Sequence, residues 1–369
     1  MLDPHDSLKA LGTRLRTARL RRELTQAELG MRVDLDQSAI SRIESGGSAS
    51  TRLLIALSET LEVPLWDLLR PVKPHVAHLR AKAHSEVSDD ALERLDKFLD
   101  DCDFLIHLRA FKGSGDEPLQ SSIRIEEMDG YAQGIRSQIG IGPIEPVDDL
   151  VRRAESLNLL VLLQPLPSDD FSGAYVRGEE VCACLINTGQ YEPRLYWTVA
   201  HELGHHLVGG DGAVDDMVPP SFQVKPAAER SADAFAGHFL VPDAVLTRMS
   251  DIRDPRVVAE TAGRYHLSYP AMVYRLKNSG KIDARSCRRL LDGKPRDYDA
   301  SYFQSPIPQG AKSLPASFSA AARRTYERGQ ITVERLAELI DHPADKLRAI
   351  LAWETSYNGN DVYPQAIRS

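Results

Sequence analysis

Residues 196–210 read YWTVAHELGHHLVGG and residues 227–242 read AAERSADAFAGHFLVP. His205 follows His201 by four positions. On a helix that step rotates about 400°, so the two imidazoles stand about 40° apart on one face, one turn from each other, where both reach a single ion about 2.0–2.1 Å away. Glu202 lies about 100° round the helix, off the ligand stripe but near the open position beside the ion, where a carboxylate can take a proton from water. Trp197, Val199, Leu203 and Leu207 give the same helix an apolar flank that predicts burial. A third ligand is expected from a second helix, and the second stretch offers Glu229 with Asp233 one turn later. Zinc accepts a carboxylate oxygen, and a ligating histidine usually gives its other N–H to a carboxylate. The residues therefore suggest Zn2+ held by His201, His205 and Glu229, with Asp233 behind the histidines and Glu202 as the base. The neighbouring His206 and His238 are read as packing or surface histidines.

Around this centre the chain has the composition of an ordinary folded protein. It is 369 residues long, with 42% hydrophobic and 27% charged residues. That excludes disordered and collagen-like chains and suggests two or three domains. No apolar run approaches the roughly 18 residues of a membrane helix, and MLDPHDSLKALG lacks the apolar centre of a signal peptide, so no membrane association and a cytoplasmic location are expected. Cys102, Cys182, Cys184 and Cys287 are too few and too scattered for a disulfide framework and are read as reduced packing residues. The net charge of −8 argues against nucleic-acid binding by the chain as a whole. Locally the sign reverses. Residues 7–22 hold Lys9, Arg14, Arg16, Arg19, Arg21 and Arg22 and no acid, whereas 86–103 is densely acidic.

Apolar spacing places short helices at about 7–22, 25–32, 37–45, 51–60 and 64–69, with Thr25 and Asp36 as N-caps and Gly46-Gly47 as a stop. Within this unit TQAELGMRVDLDQSAISRIESG has the layout of a helix-turn-helix, with Leu29, Val33, Leu35, Ile40 and Ile43 between the two helices. Gln37, Ser38, Ser41 and Arg42 are left outward, and those residue types read base edges in a major groove. The acid-free basic helix, Arg16 included, suits phosphate contact. From 76 to 111 the chain is read as one amphipathic helix with the stripe Leu92, Leu95, Leu99, Cys102 and Ile106, suited to packing in its own domain or to a dimer contact. KGSGDEPLQSS at 112–122 is read as a linker. A helix at 148–158 and three strand-like runs, LNLLVLLQPL, SGAYV and EEVCACLIN, suggest a small sheet ahead of the two histidine- and acid-bearing helices. Residues 255–281 have the length of a helix–turn–helix, and a Pro-rich stretch at 292–317 precedes a last helical piece at 318–352.

Two resemblances follow from these residues. Thr25, Gln26, Leu29, Ile40, Ser41, Glu44 and Gly46 make residues 8–70 resemble the XRE (Cro/repressor-type) family. Asp34 stands where that family usually has Gly and tolerates the left-handed turn. The resemblance implies that Gln26 contacts a phosphate and that Gln37, Ser38, Ser41 and Arg42 contact double-stranded DNA as part of a homodimer on a paired operator. Ala200 to His205, followed by Glu229, Ala232, Phe235, Ala236, Leu240 and Pro242, makes residues 145–275 resemble the ImmA/IrrE family of zinc metallopeptidases. That implies the ligand set and base named above.

The expected fold is mainly α with a small β-sheet: an N-terminal all-α helix-turn-helix domain, an α+β zincin-like (gluzincin) metallopeptidase domain and a C-terminal helical segment. The expected boundaries are 1–70 for the DNA-binding domain, 71–122 for the amphipathic helix and linker, 123–291 for the metallopeptidase domain, 292–317 for a Pro-rich linker and 318–369 for the C-terminal region. Fusions of these two families act in stress, phage or mobile-element regulation. Three functions compete: a zinc endopeptidase that cuts a repressor, an antitoxin or itself; a non-proteolytic transcriptional repressor that uses the zinc fold as a sensor; and an antitoxin-like repressor that binds a toxin partner. An intact Glu202 favours the first, because a structural zinc site needs no base beside its ligands.

Overall fold

The computed structural model describes residues 4–22, 24–63, 65–69, 76–81, 86–113, 123–167, 170–178, 180–208, 227–303 and 306–356. The chain divides into two compact units, Met1–Pro74 and His75–Ser369. Among the described residues no helix is long and apolar enough to cross a membrane.

The first unit is all helical: α1 (Pro4–Arg21), α2 (Gln26–Arg32), α3 (Gln37–Glu44), α4 (Thr51–Leu61) and α5 (Leu65–Leu69). Its boundaries are set by local chemistry. The Thr25 hydroxyl accepts from the Glu28 N–H at 3.2 Å while the Glu28 carboxylate accepts from the Thr25 N–H at 2.7 Å, a reciprocal cap at the start of α2. Asp36 caps α3 by accepting from the Ala39 N–H at 2.7 Å. Asp34 holds the left-handed backbone of the turn between them, with φ 59°. Leu15, Leu29, Ile40, Ile43, Leu57 and Leu61 close the core of this unit.

The second unit begins with β1 (Val76–Ala81) and α6 (Glu86–His107), followed by α7 (Met128–Gln138) and α8 (Leu150–Ser156). Next come β2 (Leu159–Gln164), β3 (Phe171–Arg177), β4 (Cys182–Asn187), α9 (Glu192–Val208) and α10 (Ala227–Leu240). The remainder is helical: α11 (Asp243–Arg248), α12 (Pro255–Arg264), α13 (Tyr269–Asn278), α14 (Ala284–Asp292), α15 (Tyr298–Ser301), α16 (Ala316–Glu327), α17 (Val333–Leu339) and α18 (Ala344–Ser356). The four strands form one sheet in the order β1-β3-β4-β2, antiparallel except for the β2–β4 pair. β2 and β4 read as unbroken apolar runs because both faces of the sheet are covered, which removes the usual in-out alternation. Leu159, Val161, Tyr175, Cys184 and Ile186 face the core built with α9, α10, α12 and α13. Leu160, Leu162, Ala174, Val176, Ala183 and Leu185 face a second core built with α6 and α16–α18. All four cysteines are buried and unpaired with one another.

Two features depart from the sequence reading, and one of its two alternatives for the apolar stripe is decided. The helix expected over 76–111 is a strand, β1, followed by α6; every member of the predicted stripe lies in α6, so the 3.6-residue period never extended back to residue 76. The stripe itself is not left over for a second chain. Leu95, Leu99 and Cys102 are buried against the sheet and α16–α18, and Asp101 of α6 takes Lys97 Nζ and Arg335 Nη2, both at 3.0 Å. Nor is the Pro-rich stretch a free spacer: Ser313 exchanges both backbone hydrogen bonds with Leu163 at 3.0 Å, the Gly310 N–H donates to the Thr188 carbonyl at 2.8 Å, and Phe303 and Ile307 enter the first core. The expected linker at 112–122 lies outside the described residues from 114 onward.

Leu99 is 3% exposed at the centre of the second core. Leu99→Ala is expected to destabilise the second unit by about 2–5 kcal/mol in urea unfolding without changing the association state. A change in sedimentation with unaltered stability would instead put α6 at a subunit interface.

Candidate functional site

α9 and α10 cross where neither has bulk. A Cβ built on Gly204 would stand 2.9 Å from the Ala232 Cα and 3.0 Å from its carbonyl oxygen, so only glycine lets the two backbones come this close. That approach brings the acids of α10 to the histidines of α9. His205 Nε2 is 2.9 Å from Glu229 Oε1, His201 Nε2 is 3.4 Å from Glu229 Oε2, and the two Nε2 atoms are 3.1 Å apart. One donor atom from each residue lies within 4.8 Å of the others. Four tetrahedral ligands at about 2.1 Å from an ion stand about 3.4 Å from one another, so two nitrogens and an oxygen at these separations fit a divalent cation. Asp233 accepts from His201 Nδ1 at 2.9 Å, which fixes the ring with Nε2 turned toward Glu229. Burial pushes the Glu229 carboxyl up, and hydrogen bonds from His201 and His205 outweigh it, leaving the group well below the ordinary carboxylate range. His201 is 0% and Glu202 1% exposed.

Glu202 sits under β3. A Cβ on Gly173 would come 3.2 Å from Glu202 Oε1, 3.3 Å from Thr198 Cγ2 and 3.0 Å from the Leu185 carbonyl oxygen, so the strand passes close against the carboxylate. Behind it, the buried Cys184 thiol is pushed well above its ordinary pKa, by burial first and then by the charge of Glu202.

The two additional histidines have structural partners. His206 donates from Nε2 to the Leu157 carbonyl at 2.9 Å and lies 3.4 Å from the Tyr175 hydroxyl. Burial lowers its pKa to about 4, against a weaker opposing pull from that carbonyl. His238 stands with Asp129 and Asp243 in a second cluster of metal-ligating types. Here the Arg275 guanidinium, 4% exposed, already occupies the place of a cation, 2.5 Å from Asp243 and 3.0 Å from His238 Nδ1. It also donates to the Gly237 and Val241 carbonyls, both at 3.0 Å, so this cluster ties α13 to the end of α10.

In the first unit, Gln37, Ser38 and Arg42 are exposed on α3, Ser41 is half-buried, and Arg16 is exposed on α1. The Ser38 hydroxyl is drawn into the cap, donating to Asp36 at 2.8 Å. Gln26 is held by a neighbour: its amide donates to Glu44 Oε2 at 2.8 Å, and the same carboxylate takes a two-pronged contact from Arg19 at 2.6 and 3.0 Å. Arg19 also donates to the Leu24 carbonyl at 2.7 Å, so a nearly buried ion pair locks α1, the start of α2 and the end of α3 together.

Residues 15–65 match the family model described as helix-turn-helix. Residues 154–277 match the model of a peptidase family, described as the IrrE N-terminal-like domain. The chain joins a helix-turn-helix domain to an IrrE N-terminal-like domain. Among solved structures it is similar to Bacillus thuringiensis PlcR, determined with the peptide PapR7 and DNA, at 12% identity and a TM-score of 0.19 over 95% of this chain and 100% of that one. It is also similar to the apo form of the competence regulator ComR from Streptococcus vestibularis, at 14% identity and a TM-score of 0.17 over 87% and 98% of the two chains. No curated protein matches the chain.

Reading the sequence found the histidines and acids but not the two glycines that position them. Gly204 carried a signal: a glycine inside an otherwise strong helical pattern costs about 1 kcal/mol and marks a close approach. Gly204→Val is expected to force α9 and α10 apart and weaken divalent-cation binding at least about tenfold in a competition titration, a factor worth 1.4 kcal/mol. Retention of wild-type affinity would show that the helix crossing does not set the ligand geometry.

Proposed function

We propose that the chain is a DNA-binding regulator whose second unit is a zinc-dependent endopeptidase acting on a regulatory protein, a repressor or antitoxin, or on the chain itself. The observation that carries this reading is the convergence of His201, His205 and Glu229 donor atoms beside a buried Glu202. Two histidines and a carboxylate leave one tetrahedral position open, the arrangement of a hydrolytic rather than a structural zinc site. Zinc bound there would polarise the scissile carbonyl and acidify water. Glu202 accepts the proton of the attacking water as the new C–O bond forms and delivers it to the amine as the C–N bond breaks. Asp233 keeps His201 in the tautomer that presents Nε2.

For the first unit, α3 is proposed as the recognition helix, with Gln37, Ser41 and Arg42 at base edges, Ser38 at its capped start, and Gln26 and Arg16 at phosphates. Two copies on a palindromic operator would supply the specificity that one short helix lacks. Such a regulator works in the cytoplasm, beside its operator.

Glu202→Gln is expected to keep zinc and fold while abolishing cleavage, since the amide has the same shape and cannot take the proton. The measurement is a blot for partner fragments in cells carrying the natural partner, together with metal analysis of the purified chain. Equal fragment levels from both forms, or wild-type protein without stoichiometric zinc after reconstitution, would sink the peptidase reading and leave a sensor or partner-binding fold.

Arg42→Ala is expected to cost about 1–3 kcal/mol on the operator and to relax sequence preference, whereas Arg16→Ala weakens all DNA alike and flattens the salt dependence. Footprints on the chain's own promoter separate these effects. Wild-type protein showing no sequence preference at about 0.1 M salt, where the Debye length is about 10 Å, would make the unit a protein-interaction module.

A further inference from the structure

β3 passes close against the candidate catalytic carboxylate, and one of its two edges is already used by β4. The other is filled by β1, antiparallel, with Val76 opposite Arg177, His78 opposite Tyr175 and Arg80 opposite Gly173. The register then breaks: Ala81 stands opposite Phe171 and Ser172 is left over as a bulge. The break falls at the end of the pairing that lies beside Glu202, since Gly173 is the residue whose Cβ position is 3.2 Å from that carboxylate. Phe171, on the far side of the bulge, is fixed independently of β1, its carbonyl accepting from Asn187 Nδ2 at 2.9 Å and Gln190 Nε2 at 2.8 Å. The edge that β1 occupies is therefore a built template. Being at the sheet margin, β1 can leave at the cost of one ladder, with the β3–β4 and β4–β2 pairs intact.

An extended peptide adds to such an edge through main-chain hydrogen bonds, with little demand on its sequence. We propose that the outer edge of β3 is the peptide-binding edge of this site, and that residues 76–81 fill it from within the chain, so that an extended segment of a protein partner binds only as β1 leaves. What then happens to the bound peptide rests on the peptidase reading; the binding itself does not. The segment that holds the edge opens the second unit, directly after the first ends at Pro74, so the residues with which the second unit begins also guard its site.

A fluorescent peptide with the sequence of residues 74–83, PHVAHLRAKA, is titrated into the full-length chain in the presence of chelator, so that cleavage does not compete with binding. Three forms are compared: wild type; His78→Pro/Leu79→Pro, in which one of two successive N–H groups lost must face β3; and Leu79→Cys/Ala174→Cys, which staples β1 to β3 when oxidised. The proline form is expected to bind at least about tenfold tighter than wild type, because the competent state is no longer held at a small fraction by the internal strand. The oxidised staple is expected to lose binding and reduction to restore the wild-type value. Equal affinity in all forms, or undiminished binding by the oxidised staple, overturns the proposal; so does absence of binding in every form. Should circular dichroism show the proline form unfolded, the staple decides alone. Binding that follows the expected pattern without fragments on adding zinc supports the peptide-binding edge and counts against the peptidase reading only.

Discussion

The close crossing of α9 and α10 is the constraint on which the candidate site depends. Neither helix carries a complete set of ligands. His201 and His205 share a face of one, Glu229 and Asp233 a face of the other, and the donors meet because Gly204 presents no side chain to Ala232. With the helices held at that distance the remaining positions follow from helical geometry: Glu229 reaches both Nε2 atoms, and Asp233, one turn on, reaches the opposite nitrogen of His201. The sheet adds the third side. β3 runs over α9 so closely that Gly173 borders Glu202, and the carboxylate is enclosed between strand and helix. Two glycines thus set the spacing of a centre whose chemistry belongs to other residues.

The first unit uses charge where the second uses small residues. Arg19 and Glu44 are nearly buried, and removing one partner would leave the other without compensation in a small core, which makes the pair a constraint on geometry more than a source of net stability. Its geometric effect is specific. Glu44 closes α3 and also holds the Gln26 amide at the start of α2, so the two helices of the helix-turn-helix are registered through one carboxylate.

Much of this was legible in the sequence, for local reasons. Caps at Thr25 and Asp36, the turn at Asp34 and the four-residue spacing of His201 and His205 are short-range features in which neighbouring residues decide the outcome. β1 was illegible because a strand at a sheet edge is defined by the partner waiting for it, and Arg177 lies a hundred positions beyond Val76. The Pro-rich stretch misled in the same way. Proline and glycine announce the end of helices but do not tell whether the chain then leaves the domain or, as at Ser313, stitches itself to a strand. The stripe of α6 was read correctly as apolar, yet the alternative of a dimer contact could be settled only by seeing the sheet face that it covers.

The two-sided burial of the sheet has a consequence for how the chain is made. α1 to α5 form a unit from contacts among the first seventy-odd residues, and they can fold while the ribosome is still adding the rest. One face of the sheet can be covered once α9 to α13 emerge, but the other, where α6 packs first, is completed only when α16–α18, near the end of the described chain, have been synthesised. During that interval a finished DNA-binding module is tethered to a half-covered, sticky sheet. A chain cut short before residue 316 would keep its helix-turn-helix while presenting an aggregation-prone apolar face, so truncation separates the two halves of this protein by solubility before it separates them by activity.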